Sequence, residues 1–199
     1  MSRLYTPREF VAEHFCPLGE MQTWIRRQPD MKTAWTDADP VWRVRIAEIP
    51  GVVRGRDARE FAYVCADAVR PRLFGAATDY HELLAFLETY RNSPLAAGDH
   101  YLRCWEQVSR VVTDPRRPDQ WAEVAIVFAV AVVLGDKPEI GANLHQTCRA
   151  ACNAQSAYPS FEPNLGGWLL TEVQPRFEIP EEGVILRSSG FGPNPPLIR

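Results

Sequence analysis

Apolar residues recur at helical spacing through most of the first 155 positions, and several of these stretches begin with a recognisable cap. Thr6-Pro7-Arg8-Glu9 combines an N-cap threonine, a proline at the first helical position and a glutamate three residues after the cap. The pattern predicts a helix carrying Phe10, Val11 and His14. Asp79-Tyr80-His81-Glu82 repeats the capping logic ahead of Leu83, Leu84, Phe86, Leu87 and Tyr90. Between them, Arg56 to Arg70 predicts an amphipathic helix. Phe61, Val64, Cys65, Ala68 and Val69 lie on one side, Arg59, Glu60, Asp67 and Arg70 lie elsewhere, and Pro71 ends it.

Asp99 caps a further expected helix with the stripe Tyr101, Cys104, Trp105, Val108, Val111 and Val112. After Pro118 the run Val124 to Leu134 is apolar throughout. Its valines allow a buried strand, but its length and interleaved alanines favour a central buried helix. A spanning helix requires about 20 apolar residues, roughly twice this run, and Glu123 and Asp136 bracket it. No membrane span is therefore expected. The next helix opens at Pro138, or is a shorter one capped by Asn143 after Gly141.

The pattern changes near Tyr158. Pro159, Pro163, Pro175, Pro180, Pro193, Pro195 and Pro196 interrupt any long helix. Arg176–Ile179 and Val184–Arg187 read as two short strands joined by the turn Pro180-Glu181-Glu182-Gly183. The expected fold is mainly α: a single helical domain of about eight short helices over residues 1–157. A proline- and glycine-rich segment, 158–199, packs on it as a hairpin or extended arm, with a tail at 190–199. Tyr158, Phe161, Asn164 and Trp168 either line a groove or pin this segment to the helical body, and pinning is the more economical reading.

Composition narrows the function. A chain of 199 residues that is 46% hydrophobic has enough apolar material for a packed core, which excludes whole-chain disorder. A net charge of −3 and a pI near 5.8 give no global attraction to nucleic acid. The basic residues are twenty arginines against only Lys32 and Lys137. The arginines concentrate between Arg43 and Arg72, where Glu48, Asp57, Glu60 and Asp67 dilute them. The N-terminus lacks the apolar segment of a secretory signal, and the five cysteines are odd in number with no framework spacing. Reduced thiols in a cytoplasm are the expectation.

The N-terminal third carries Cys16-Pro17-Leu18-Gly19 before Trp24, then Ala34-Trp35, Pro40 and Trp42, then the run Phe61 to Pro71. This pattern resembles a set of small helical bacterial and phage proteins, some labelled immunity proteins. The resemblance implies a helical protein that acts by binding and supplies no catalytic residues. The proline-rich C-terminal third is unlike those proteins.

The leading expectation is a non-enzymatic protein that binds a protein partner or itself. Its contact residues are expected to be Trp35, Trp42, Arg43, Arg45, Arg56, Arg59 and Arg70, because tryptophan and arginine are the usual interface anchors. A second reading is a thiol- or metal-dependent enzyme. On a helix His145, Cys148 and Cys152 share one face, and Arg149 beside them favours thiolate. Zinc is the ion such a set would take, with a fourth ligand brought in by the fold from His14, Cys16, His81, His100 or Cys104. Against this, Ile140, Leu144, Cys148 and Ala151 form an apolar stripe, as buried structural cysteines do. No cofactor is otherwise expected. A third reading makes Gly190–Arg199 an assembly arm. The chain has no phosphate loop, no G-x-S-x-G elbow and no common nucleic-acid motif.

Overall fold

The computed structural model describes residues 3–15, 19–73, 78–94, 121–135, 137–155 and 161–179. Among these the architecture is helical. The nine α-helices are α1 (Pro7–His14), α2 (Glu20–Ile25), α3 (Met31–Asp37), α4 (Pro40–Ala47), α5 (Gly55–Ala68), α6 (Thr78–Tyr90), α7 (Trp121–Leu134), α8 (Lys137–Ala154) and α9 (Phe161–Glu172). A 3-10 turn at Arg70–Arg72 absorbs Pro71 after α5. The expected helix after Asp99, the turn 180–183, the run Val184–Arg187 and the arm 190–199 lie outside the described residues.

Helix starts follow local chemistry. The capping box of α1 is complete: Glu9 N donates to Thr6 Oγ1 at 3.3 Å and Thr6 N donates to Glu9 Oε2 at 3.0 Å. Asp30 caps α3 through the Thr33 amide at 2.7 Å. Asp39 caps α4 through the Val41 amide at 2.9 Å, with Pro40 at the first helical position. α5 buries Ala58, Phe61, Ala62, Cys65 and Ala66; of the predicted face, Phe61, Cys65 and Val69 are buried while Val64 and Ala68 are half-buried, so the buried side is turned toward the alanines.

The core centres on α7. Every residue from Val124 to Leu134 is buried except Phe128, which is half-buried. A helix with no polar face needs neighbours on all sides. α5, α6 and α8 supply them. No helix among the described residues is long and apolar enough to cross a membrane. α8 begins at Lys137 and runs through Gly141, so the longer of the two expected helices forms. Gln155 Nε2 then donates to Ala68 O at 2.7 Å and ties the end of α8 to the end of α5.

α9 departs from expectation, because the segment after Tyr158 is expected as a hairpin or extended arm. Pro163 stands in its first turn, where amide groups have no intrahelical acceptor and a missing N–H costs nothing. Phe161 is buried and Trp168 stacks on Phe61 with centroids 5.6 Å apart, so the segment is pinned to the helical body. Beyond α9, Arg176–Ile179 does pair, but with the N-terminal segment. Tyr5 N donates to Phe177 O and Ile179 N to Arg3 O, both at 2.8 Å, around an antiparallel bridge between Leu4 and Glu178. Phe177 packs edge-on against Phe10 at 5.4 Å.

α9 lies unusually close to α4. A Cβ added at Gly166 would stand 2.6 Å from both the carbonyl carbon and the Cα of Pro40 and would also collide with the Pro40 oxygen. Across this seam lies Arg43, 3% exposed. Its guanidinium makes four hydrogen bonds, all to main-chain carbonyls: Nε to Trp35 O at 3.0 Å, Nη1 to Gly166 O at 2.9 Å, and Nη2 to Thr36 O at 3.0 Å and Ala38 O at 2.7 Å. Three of these acceptors lie at the C-terminal end of α3, which the guanidinium thus caps, and there the cation also meets the negative end of the helix dipole.

Gly166→Ala is expected to cost about 1–3 kcal/mol, the usual penalty of overpacking, in denaturant unfolding. Gly167→Ala, with open space around its Cβ, is the control and stabilises or leaves the protein unchanged. Equal effects of the two would contradict the close seam. Arg43→Lys, which keeps the charge but loses the fork, should cost about 2 kcal/mol or more in the same assay. A loss below about 0.5 kcal/mol, typical of a surface site, would show that the clamp does not form.

Candidate functional site

The residues expected to make a contact surface separate into two groups. Trp35 is 3% exposed and packs edge-on to Phe177 at 6.4 Å. Arg43 is the buried clamp. Neither reaches a partner, which corrects their assignment as surface anchors. Tryptophan is as useful to a core as to an interface, and the sequence pattern does not separate the two roles.

The remaining arginines are engaged within the chain. Arg56 Nε donates to Asn92 Oδ1 at 3.1 Å, and Arg59 Nε to Arg91 O at 2.8 Å. Arg91 in turn pairs with Glu60 at 2.9 Å and lies 4.0 Å over the Tyr63 ring. Arg70 pairs with Asp67 at 2.7 Å. The predicted arginine face is thus a network that fastens α5 to the end of α6, although Arg56 and Arg70 keep exposed surface. Trp42 differs from this group. It is half-buried and packs on half-buried Trp24 with centroids 5.4 Å apart. Arg26 and Arg27, both exposed, follow Trp24 at the end of α2.

The densest chemistry lies where α4, α5 and α8 meet. Glu48 closes α4, and its carboxylate accepts from Arg45 Nη1 at 2.9 Å. One ligand atom each from Glu48, Cys148 and Cys152 lies within 4.8 Å of the others, and all three residues are buried. Cys65 on α5 is fully buried and acts on the Cys148 thiol, but it lies outside this group of three. The sequence set His145, Cys148 and Cys152 is therefore only partly assembled. His145 is half-buried and stands outside this group, in which the Glu48 carboxylate takes the third position. No spacing pattern pointed to Glu48, which lies about a hundred residues from Cys148. Its one signal is an acid followed by Ile49 and preceded by Ile46 and Ala47, and that fits a turn equally well. Of the expected fourth ligands, His14 packs on Phe10 at 4.9 Å, His81 is exposed, and Cys16, His100 and Cys104 lie outside the described residues.

Electrostatics follow from enclosure. Burial raises the Glu48 carboxyl above its ordinary value, against the pull of Arg45 and Arg149 and hydrogen bonds from Arg45 and Cys148. The bond from Cys152 favours the Cys148 thiolate, but Cys65, burial and the Glu48 charge outweigh it, and Cys148 is pushed well up. Cys152 is also raised, by its bond to Cys148, by burial and by the charges of Cys148, Glu48 and Glu162. Thiols held this way are protonated and weak as nucleophiles. His145 is lowered by burial first and by Arg149 next, with the bond to Glu48 opposing. No protein-family model, curated protein or solved structure matches the chain.

These shifts have a pH signature. His145 and His14 both titrate below their ordinary value of 6.5 in the folded state. As pH falls through 6.5 the unfolded chain takes up these protons first, so stability drops until the folded values are reached. Glu48 works in the opposite direction, contributing stability below 4.5 that is lost as pH rises through its raised folded value. Acidification from pH 7 toward 5.5 should therefore destabilise the protein, by at most about 1.4 kcal/mol per pH unit for each histidine. His145→Gln should shallow that slope in urea melts. An unchanged slope would contradict the enclosed, neutral imidazole.

Proposed function

We propose that this chain is a non-enzymatic binding protein that meets a protein partner through the face carrying Trp24 and Trp42. The observation that carries this reading is the pair itself: two large rings with centroids 5.4 Å apart, packed on the core yet only partly buried by a fold that encloses Trp35. Paired aromatics with a partly wet surface and adjacent arginines have the composition of an interface hot spot. Arg26 and Arg27 suit a partner whose apolar pocket is rimmed by acids.

The enclosed thiols support the same reading from the other side. A catalytic cysteine needs thiolate character and access, and Cys148 and Cys152 have neither. The immunity-type role implied by the resemblance of the N-terminal third is consistent with a protein that works by occupying a partner.

Affinity capture from the source cells tests the face, using the wild-type chain, Trp24→Ser/Trp42→Ser and Arg56→Glu/Arg70→Glu, each checked for native helix content. A stoichiometric protein partner should be retained by the wild type and by the arginine variant. The tryptophan variant should bind it at least about tenfold more weakly. Undiminished binding by the tryptophan variant, or loss confined to the arginine variant, would move the interface elsewhere.

A further inference from the structure

We infer that Glu48, Cys148 and Cys152, completed by Cys65, form a closed site for one zinc-class divalent cation that ties α4, α5 and α8 together. The first three present one carboxylate oxygen and two sulfurs within 4.8 Å of one another. Cys148 and Cys152 are one turn apart on α8, a spacing that lets two thiolates share a tetrahedral ion. Cys65 is fully buried on α5 and acts on the Cys148 thiol, but it stands outside the group of three, so as fourth donor it must move inward when the ion binds.

The charge balance also closes. Three thiolates and a carboxylate carry −4, the cation +2, and the neighbouring guanidinium groups of Arg45 and Arg149 supply the remaining +2. Binding breaks three S–H bonds and forms three S–metal bonds. The three protons leave to solvent, and no oxidation state changes. Thiolate-rich, fully enclosed donors select zinc over magnesium or calcium and leave no open position for substrate.

The full chain, purified reduced with added zinc salt, should show one bound zinc per chain by native mass spectrometry. Chelation should release it and lower the melting temperature, and zinc should restore both. Cobalt(II) titration should give intense visible bands of a tetrahedral site and a thiolate charge-transfer band, displaced by one equivalent of zinc. Cys65→Ser should lose about a third of the charge-transfer intensity, in proportion to the thiolates lost. Glu48→Gln should keep the band and weaken zinc binding at least about tenfold. Cys148→Ser/Cys152→Ser should abolish it. The wild-type measurements need no variant to fold. A bare chain mass with no cobalt bands would overturn the site. Bands that survive Cys148→Ser/Cys152→Ser would place the metal elsewhere, and full intensity in Cys65→Ser would remove Cys65 from the ligand set.

Discussion

A buried guanidinium organises the N-terminal half of this protein and its junction with the C-terminal segment. Burial pushes Arg43 down from the usual arginine value, yet arginine remains charged in any protein interior. A cation out of water must be satisfied where it stands. Here main-chain oxygens do this, three from the end of α3 and its cap and one from α9. The geometry then dictates the neighbours. α3 must end near Asp37 so that its last carbonyls turn toward the guanidinium. Asp39 and Pro40 must restart the chain as α4 immediately afterwards. α9 must come close enough for the Gly166 oxygen to accept, and only glycine allows that approach to Pro40. Lysine, a point charge without a fork, could not serve four carbonyls at once.

The same logic accounts for much of the arginine-rich composition. Arg59 donates to a carbonyl beyond α6, Arg91 returns to Glu60 and Tyr63, and Arg45 neutralises the buried Glu48. These side chains join helices whose apolar contacts alone would leave polar main-chain ends and a carboxylate in the interior.

Elements with a strong local signature were legible in the sequence. The capping box at Thr6 and the apolar run of α7 each depend on neighbours a few residues apart and stand where the pattern puts them, while α5 forms as expected with its buried side turned toward Ala58, Ala62 and Ala66. α9 was not legible, because Pro163 and the Gly166-Gly167 pair argue for a loop unless one knows that Pro163 falls in the first turn and that Gly166 faces another backbone. The site was half legible. Cys148 and Cys152 share a helix face by spacing alone, whereas Glu48 and Cys65 arrive through tertiary contact. Arg43 was misread for the same reason: nothing local distinguishes an arginine that fills a core from one that waits on a surface.

The most direct test of the central claim is nuclear magnetic resonance of the arginine side chains at neutral pH. One guanidinium, assigned to Arg43, should show Nε and Nη protons that exchange slowly with water. Its Nη signals should be separately resolved, because four carbonyl bonds arrest rotation about its C–N bonds. If the Arg43 protons instead exchange and average like those of an exposed arginine, the clamp is absent and the account of how α3, α4 and α9 are held together is wrong.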